Sequence, residues 1–324
     1  MPKADPVAEA MSRLKSLRAD PTTNSATAEL TKALSSKANV VVSRAAEIIH
    51  DAKRTQFIDP LIAAFDRFMV DATTTDKGCA AKTSIAKALY ELEARAENVF
   101  LAGIHHHQME GVWGGHADTA AELRGVCALS LVRCNYRDVM IELGDLLMDP
   151  EPTCRIMAAR AIAYSENVAG LPLLRMKVLA GDQNSDVISE CFTAMLRLSP
   201  RNSVSFVSQY MDSDDDELKQ LAILSLGESR LPGALGALTE QFHRVLTGNE
   251  RKPLILAIAL TRLPASIDFL LKVIEQEHKQ LGLAAIDALK IYRADPSIRA
   301  RVLASTKQRD DADLRRAAEQ SFPG

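Results

Sequence analysis

The stretch DPEPTCRIMAARAIAY, residues 149–164, is the clearest copy of a pattern that organises the whole chain. An acidic, proline-bearing turn leads into alanine-rich residues. Ala158, Ala161 and Ile162 then fall at i, i+3 and i+4, on one face of a helix. The same order recurs in HADTAAELRGVCALSLVR (116–133) and DSDDDELKQLAILSLGES (212–229). Looser copies run from VVVSRAAEIIHDA (40–52) to DDADLRRAAEQSF (310–322).

One anchor per copy gives Ile48, Ala88, Ser130, Ala161, Ala194, Ser225, Ala259, Ala288 and Gln320, in steps of 40, 42, 31, 33, 31, 34, 29 and 32 residues. Three positions earlier stand Ala45, Ile85, Cys127, Ala158, Cys191, Ala222, Leu256, Ala285 and Ala317. A second set of helices lies between these, as in FIDPLIAAFDRFMV and SIDFLLKVIEQ, with Pro60 and Pro172 suited to a first turn. Asp149, Asp212 and Asp310 precede the second helices and are expected to cap them. Each unit is a helix–turn–helix of about thirty residues that buries its apolar face only by stacking on neighbours.

On these residues, and best over Asp149–Ile162, the chain resembles the HEAT-repeat proteins, particularly the short-repeat bacterial type related to the phycobilin lyases. The resemblance implies an all-α, right-handed solenoid of about nine repeats forming one domain over 1–324. Residues 1–36 would make capping helices, and the repeat at 98–133 would carry an enlarged loop at 103–118. It also implies that basic residues six positions before the anchor (Lys82, Arg124, Arg155, Lys219) pair with turn aspartates in a ladder between repeats. The deoxyhypusine hydroxylases, which resemble this architecture, bind iron through His-Glu dipeptides, and this chain has none. The position before each anchor forms no basic stripe of the kind HEAT-like DNA glycosylases use.

Composition fits this picture. Of 324 residues, 5 % are aromatic, which favours packed helices over sheet. A net charge of −3 gives no bulk attraction to nucleic acid or anionic membrane, and no apolar run is long enough to span a bilayer. The five cysteines lack CxxC spacing and sit mostly at apolar helical positions, so a reducing, cytoplasmic setting is expected.

Two motifs resemble ligand loops. GCAAKTS (78–84) lacks the second glycine of a phosphate-binding loop and the strand before it. DSDDDE (212–217) places Glu217 and Ile223 where a calcium loop needs glycine and glutamate, and reads as a capping turn.

The segment GIHHHQMEGVWGGHAD, residues 103–118, holds four of seven histidines and the only tryptophan. Its histidines are expected to close a helix, followed by an enlarged turn on an edge of the repeat. A metal reading would use His105, His107, His116 and Asp118 or Glu110. Against it, consecutive histidines on a helix fan apart by 100° each, and C-capping is the alternative. For Trp113 the structural expectation is folding back onto neighbouring repeats; the functional one is an exposed anchor. The expected function is a non-catalytic protein-binding scaffold that needs no cofactor. Its contact residues would be His105, His107, Glu110, Trp113, His116, Asp118, Arg124 and Arg160. The competing reading is a metal- or cofactor-binding enzyme at His105, His107, His116 and Asp118. Because each repeat leans only on its neighbours, removing the two terminal repeats should leave the other helices folded by circular dichroism. Collapse to random coil would contradict the repeat reading.

Overall fold

The computed structural model describes residues 5–17, 20–307, 309 and 311–323. It divides into two compact units, residues 1–170 and 171–324. The first begins with α1 (Pro6–Leu17), and helical pairs follow: α2 (Asn24–Leu34) with α3 (Asn39–Asp51), then α4 (Ile58–Met69) with α6 (Ala80–Glu91) across the short α5 (Ala72–Thr75). Next come α7 (Glu97–Ile104) with α8 (Ala121–Arg133) and α9 (Val139–Leu146) with α10 (Pro152–Tyr164). The second helices α3, α6, α8 and α10 each pack on the next.

The second unit repeats the scheme: α11 (Leu171–Ala180) with α12 (Ser185–Leu198), α13 (Pro200–Ser208) with α14 (Asp216–Glu228), and α15 (Pro232–Arg244) with α16 (Gly248–Leu260). It ends with α17 (Pro264–Gln276) and α18 (Lys279–Ala288), then α19 (Pro296–Lys307) and α20 (Ala312–Ser321). Here α12, α14, α16, α18 and α20 pack in succession. The all-α repeat architecture expected from the sequence is the one observed, with one departure: a two-stranded antiparallel hairpin of β1 (Met109–Val112) and β2 (Gly115–Asp118).

The anchor row falls on the second helices, and eight of the nine residues chosen are buried, from Ile48 to Ala288; in seven copies the residues three before and one after the anchor are buried with it. Two copies are shifted. In α16 Ala259 is buried but Leu256, three before it, is 43 % exposed; the buried face also runs through Leu254, Ala257 and Ile258, two residues earlier. The run LILAIAL has no polar residue to mark its outer face. In α20, Gln320 is exposed and Leu314 and Ala318 are buried.

The capping expectation needs a similar correction. Asp215, not Asp212, caps α14, accepting from the amides of Glu217 at 2.9 Å and Leu218 at 3.2 Å; Asp212 instead pairs with Arg244. Asp149 accepts from the Glu151 amide at 2.8 Å, but Glu151 holds the cap position of α10. Asp310 lies outside the described residues, and Asp311 caps α20.

Six second helices close in one way that composition conceals. Two residues past each helix end, Lys53, Glu93, Asn135, Glu166, Arg230 and Arg262 adopt left-handed backbone angles, with φ from 50° to 56°. The amides of Arg54, Ala94 and Tyr136 then reach back to Ile49, Leu89 and Leu131, satisfying carbonyls that a helix end leaves open.

Glycine matters most where backbones meet. A Cβ at Gly227 on α14 would lie 2.5 Å from the Ala257 carbonyl oxygen on α16, whereas one at Gly236 on α15 meets nothing within 4 Å. Gly227→Ala should therefore destabilise the chain by about 1–3 kcal/mol through overpacking. Gly236→Ala should be neutral or stabilising by about 0.5–1 kcal/mol through reduced chain entropy. Urea midpoints of the two variants, compared with the parent, check the contrast.

Candidate functional site

The segment between α7 and α8 is built on a set of buried polar groups. Helix α7 stops at Ile104, so the histidines do not extend it; His105 is its C-cap residue and the chain turns away. At Gly103 α7 lies so close to α8 that an added Cβ would meet Cys127 Sγ at 2.4 Å. Beyond Gln108 the chain forms the hairpin, pairing Met109 with Asp118 and Val112 with Gly115. Its two-residue turn is Trp113-Gly114, with Gly114 at φ +91°, where a side chain would be strained.

Asp118 closes the hairpin base. Its Oδ1 accepts from the Gln108 and Ala120 amides, both at 3.0 Å, and its Oδ2 from Arg124 Nη1 at 2.8 Å. Oδ2 also lies 2.9 Å from His107 Nδ1. Arg124 is fully buried. It forks onto Asp149 through Nε (2.8 Å) and Nη2 (3.0 Å), and its Nη1 also donates to the His106 carbonyl at 3.0 Å. The other end of the base rests on Gln108, whose Nε2 donates to the Asp76 carbonyl at 2.7 Å and to Glu110 Oε1 at 2.5 Å. Glu110 Oε1 further accepts from the Gly78 amide (2.7 Å) and the Thr119 hydroxyl (3.0 Å).

Asp76 repeats the motif one unit earlier. Its carboxylate takes the Ala81 and Lys82 amides at 2.8 and 3.0 Å and the Lys82 ammonium at 2.9 Å, with both side chains sealed from solvent. The GCAAKTS segment thus spends its helix N-terminus on the chain's own carboxylate, the position an anionic ligand would take. Asp76–Lys82, Asp118–Arg124 and Asp149–Arg155 share one spacing, aspartate then base six residues later. In the last of these Arg155 Nη1 donates to the Asp149 carbonyl at 2.8 Å, and the Asp149 carboxylate goes to Arg124. Of the ladder expected between repeats, Arg124 makes one rung, from Asp118 of its own repeat to Asp149 of the next, while Lys82 pairs within its own repeat. Lys219 pairs with Asp216 within its own helix at the surface.

The electrostatics follow from these contacts. Burial alone would raise the Asp118 carboxyl, but the Gln108 and Ala120 amides, His107 and Arg124 outweigh it and hold the group well below the usual carboxylate range. Burial opposes Arg124's charge too, yet Asp149 and Asp118 raise its pKa. Glu110 is lowered, against its burial, by Gln108, Gly78 and Thr119. His106 is lowered, chiefly by burial. Burial pushes the Cys79 thiol up to about 11 and Cys154 up to about 12, so these are inert core thiols.

Of the residues singled out from the sequence, the structure brings His107, Asp118 and Arg124 together. Glu110 joins through Gln108. His105 Nε2 lies 2.9 Å from Glu142 Oε2 on α9. His116 is exposed on β2 opposite Gly111, and Arg160 is exposed on α10. Trp113 does not fold back onto the repeats: at 105 % exposure it stands at the hairpin tip, because a two-residue turn leaves its ring nothing to pack on.

The metal set is not assembled. Asp118's lone pairs are committed to its donors, and among the described residues no group of three or more His, Cys, Asp or Glu is placed to hold a metal ion. His105 and His107 line a shallow cleft of about 240 Å³ with Glu142 and Asp145, below the usual ligand-pocket size of about 300–1,000 Å³. Sequence reading missed Asp76, Gln108, Thr119 and Glu142. The recurring Asp-x5-Lys/Arg spacing is the signal that could have found Asp76.

No protein-family model and no curated protein matches the sequence. Solved structures similar to this chain include one from the complex of CpcE and CpcF of phycocyanin lyase from Nostoc sp. PCC7120. It is 14 % identical over 78 % of this chain and 91 % of that one, with a TM-score of 0.38. An engineered protein is 16 % identical over 96 % and 90 %, with a TM-score of 0.35. Human deoxyhypusine hydroxylase in complex with glycerol is 15 % identical over 85 % and 97 %, with a TM-score of 0.32. At these scores the likenesses carry no argument about activity. What classifies the chain is its own geometry: helical pairs of about thirty residues, a small or aliphatic face buried on every second helix, and a rung of aspartate and arginine between repeats. The repeats are stacked helical pairs of the kind the HEAT-like resemblance leads one to expect. No helix among the described residues is long and apolar enough to cross a membrane.

Asp118→Asn takes one of two carboxylates from Arg124, which stays paired with Asp149, so it should cost about 1.5–3 kcal/mol, the worth of hydrogen bonds to charged groups. The sign of its pH effect follows from a folded pKa below the ordinary 3.8. Its contribution is complete above that value and fades as pH falls beneath it. Denaturation followed from pH 7 to pH 2 should show a shallower acid limb in the variant; parallel limbs would remove Asp118 from this role.

Proposed function

We propose that the chain is a non-catalytic protein-binding scaffold whose docking element is the hairpin 109–118. The observation that carries this is the fully exposed Trp113, flanked by Val112 at 49 % and Met109 at 55 % exposure, on a mount whose base is held by buried hydrogen bonds. An isolated two-stranded hairpin is marginal in water. This one is ordered by Asp118, Gln108 and Glu110, so a partner would meet an apolar tip already in place and lose less entropy on binding. Tryptophan is also the side chain most enriched among residues that dominate interface energies. Exposed His107 and His116 would supply polar contacts beside it. On this reading the protein needs no cofactor. The free cysteines, four of them buried, suit a reducing cytoplasm.

Trp113 is the only tryptophan, so tryptophan fluorescence, excited selectively over the five tyrosines, reports on this site alone. The free protein should emit at long wavelength and be quenched fully by acrylamide. A photo-crosslinking residue at position 113 should give discrete protein adducts in cells, while the same residue at Leu246, 89 % exposed in the second unit, should not. Identical adducts from both positions would sink the docking role of the hairpin.

A further inference from the structure

We infer that Arg124 couples the pose of the hairpin to the packing of the next repeat, so that the docking element is set by α10 as well as by its own strands. This rests on the reading of the hairpin as the docking element and adds a means of regulating it.

The Arg124 guanidinium is a rigid planar fork buried between two carboxylates that are themselves almost without solvent. Two of its nitrogens are committed to Asp149, in the turn that opens α10, and the third to Asp118 and the His106 carbonyl. A planar group cannot follow one carboxylate without leaving the other. Leaving either strands a charge in a site that water does not reach.

Both ends of the rung are fastened. Asp118 holds the first residue of the hairpin stem (the Gln108 amide) and the residue before α8 (the Ala120 amide). Asp149 is fixed by the Glu151 amide on its carboxylate and by Arg155 on its carbonyl, both belonging to the start of α10. A shift of the fourth repeat therefore reaches the hairpin base through paired charges. By linkage, a partner that holds the hairpin stiffens the packing of α10 on α8 to the same extent.

Hydrogen–deuterium exchange on the full chain tests this with Asp149→Asn, which keeps an acceptor for the Glu151 amide and removes the charge that Arg124 forks onto. The expected result is exchange about tenfold faster across 108–120, with α3 and α6 unchanged. Unchanged exchange at 108–120 alongside a loosened 149–155 would overturn the inference. Should the whole first unit loosen, Asp149→Glu decides, because it keeps the pair but displaces the carboxylate by one methylene. Faster exchange confined to 108–120 and 149–155 supports coupling, and a change confined to 149–155 refutes it. The readout requires no partner, so absence of adducts at position 113 would count against the docking role and leave this result standing.

Discussion

A buried guanidinium has to be paired on every side, and that constraint shapes the first unit. Arg124 lies where α8 meets α10 and the hairpin base, and its two carboxylate partners come from opposite directions along the chain. Replaced by well-packed apolar residues, such a site can match or exceed the stability of an ion network. What the charges add is direction: aliphatic side chains tolerate many rotations, whereas this fork has one arrangement that satisfies it. Around it the repeats are ordinary, with small residues letting second helices approach and left-handed closures turning the chain back at a fixed point.

The second unit uses the same helical grammar with fewer buried charges. Its clearest one is Lys177 paired with Asp182 at 2.8 Å; elsewhere Arg244–Asp212 and Lys279–Asp313 sit in the open, where pairing is worth little. Packing does the work there, most visibly where Gly227 lets α14 touch the α16 backbone. The contrast between the units is one of specification: the first holds an element in a defined pose, and the second stacks helices.

Most of the fold was legible because a small–aliphatic face that returns every thirty residues has to be buried, and stacked helical pairs bury it most simply. The register failed where the pattern lost contrast, in α16, whose leucines and isoleucines surround the helix, and in α20, where alanines give two equivalent faces. The left-handed closures were hidden because lysine, glutamate and arginine fill a position where glycine is the usual mark. In the candidate site, Asp118 and Arg124 were singled out, but their relation was not: aspartate near histidines suggests a metal, and the fold has already taken its lone pairs. The hairpin was read as an enlarged turn because MEGV and GHAD show neither alternation nor β-branched residues beyond one valine. For Trp113 the sequence leaves a folded-back and an exposed reading open, and the short turn decides for exposure.

The spacing of the Arg124 rung also has a temporal side. Asp149 follows the hairpin by about thirty residues, so a chain leaving the ribosome exposes β1, β2 and α8 before the carboxylate that completes their base exists outside the tunnel. The third repeat thus waits, with an arginine half-satisfied, for the fourth to be made. In this protein the end of one repeat's folding is written into the synthesis of the next.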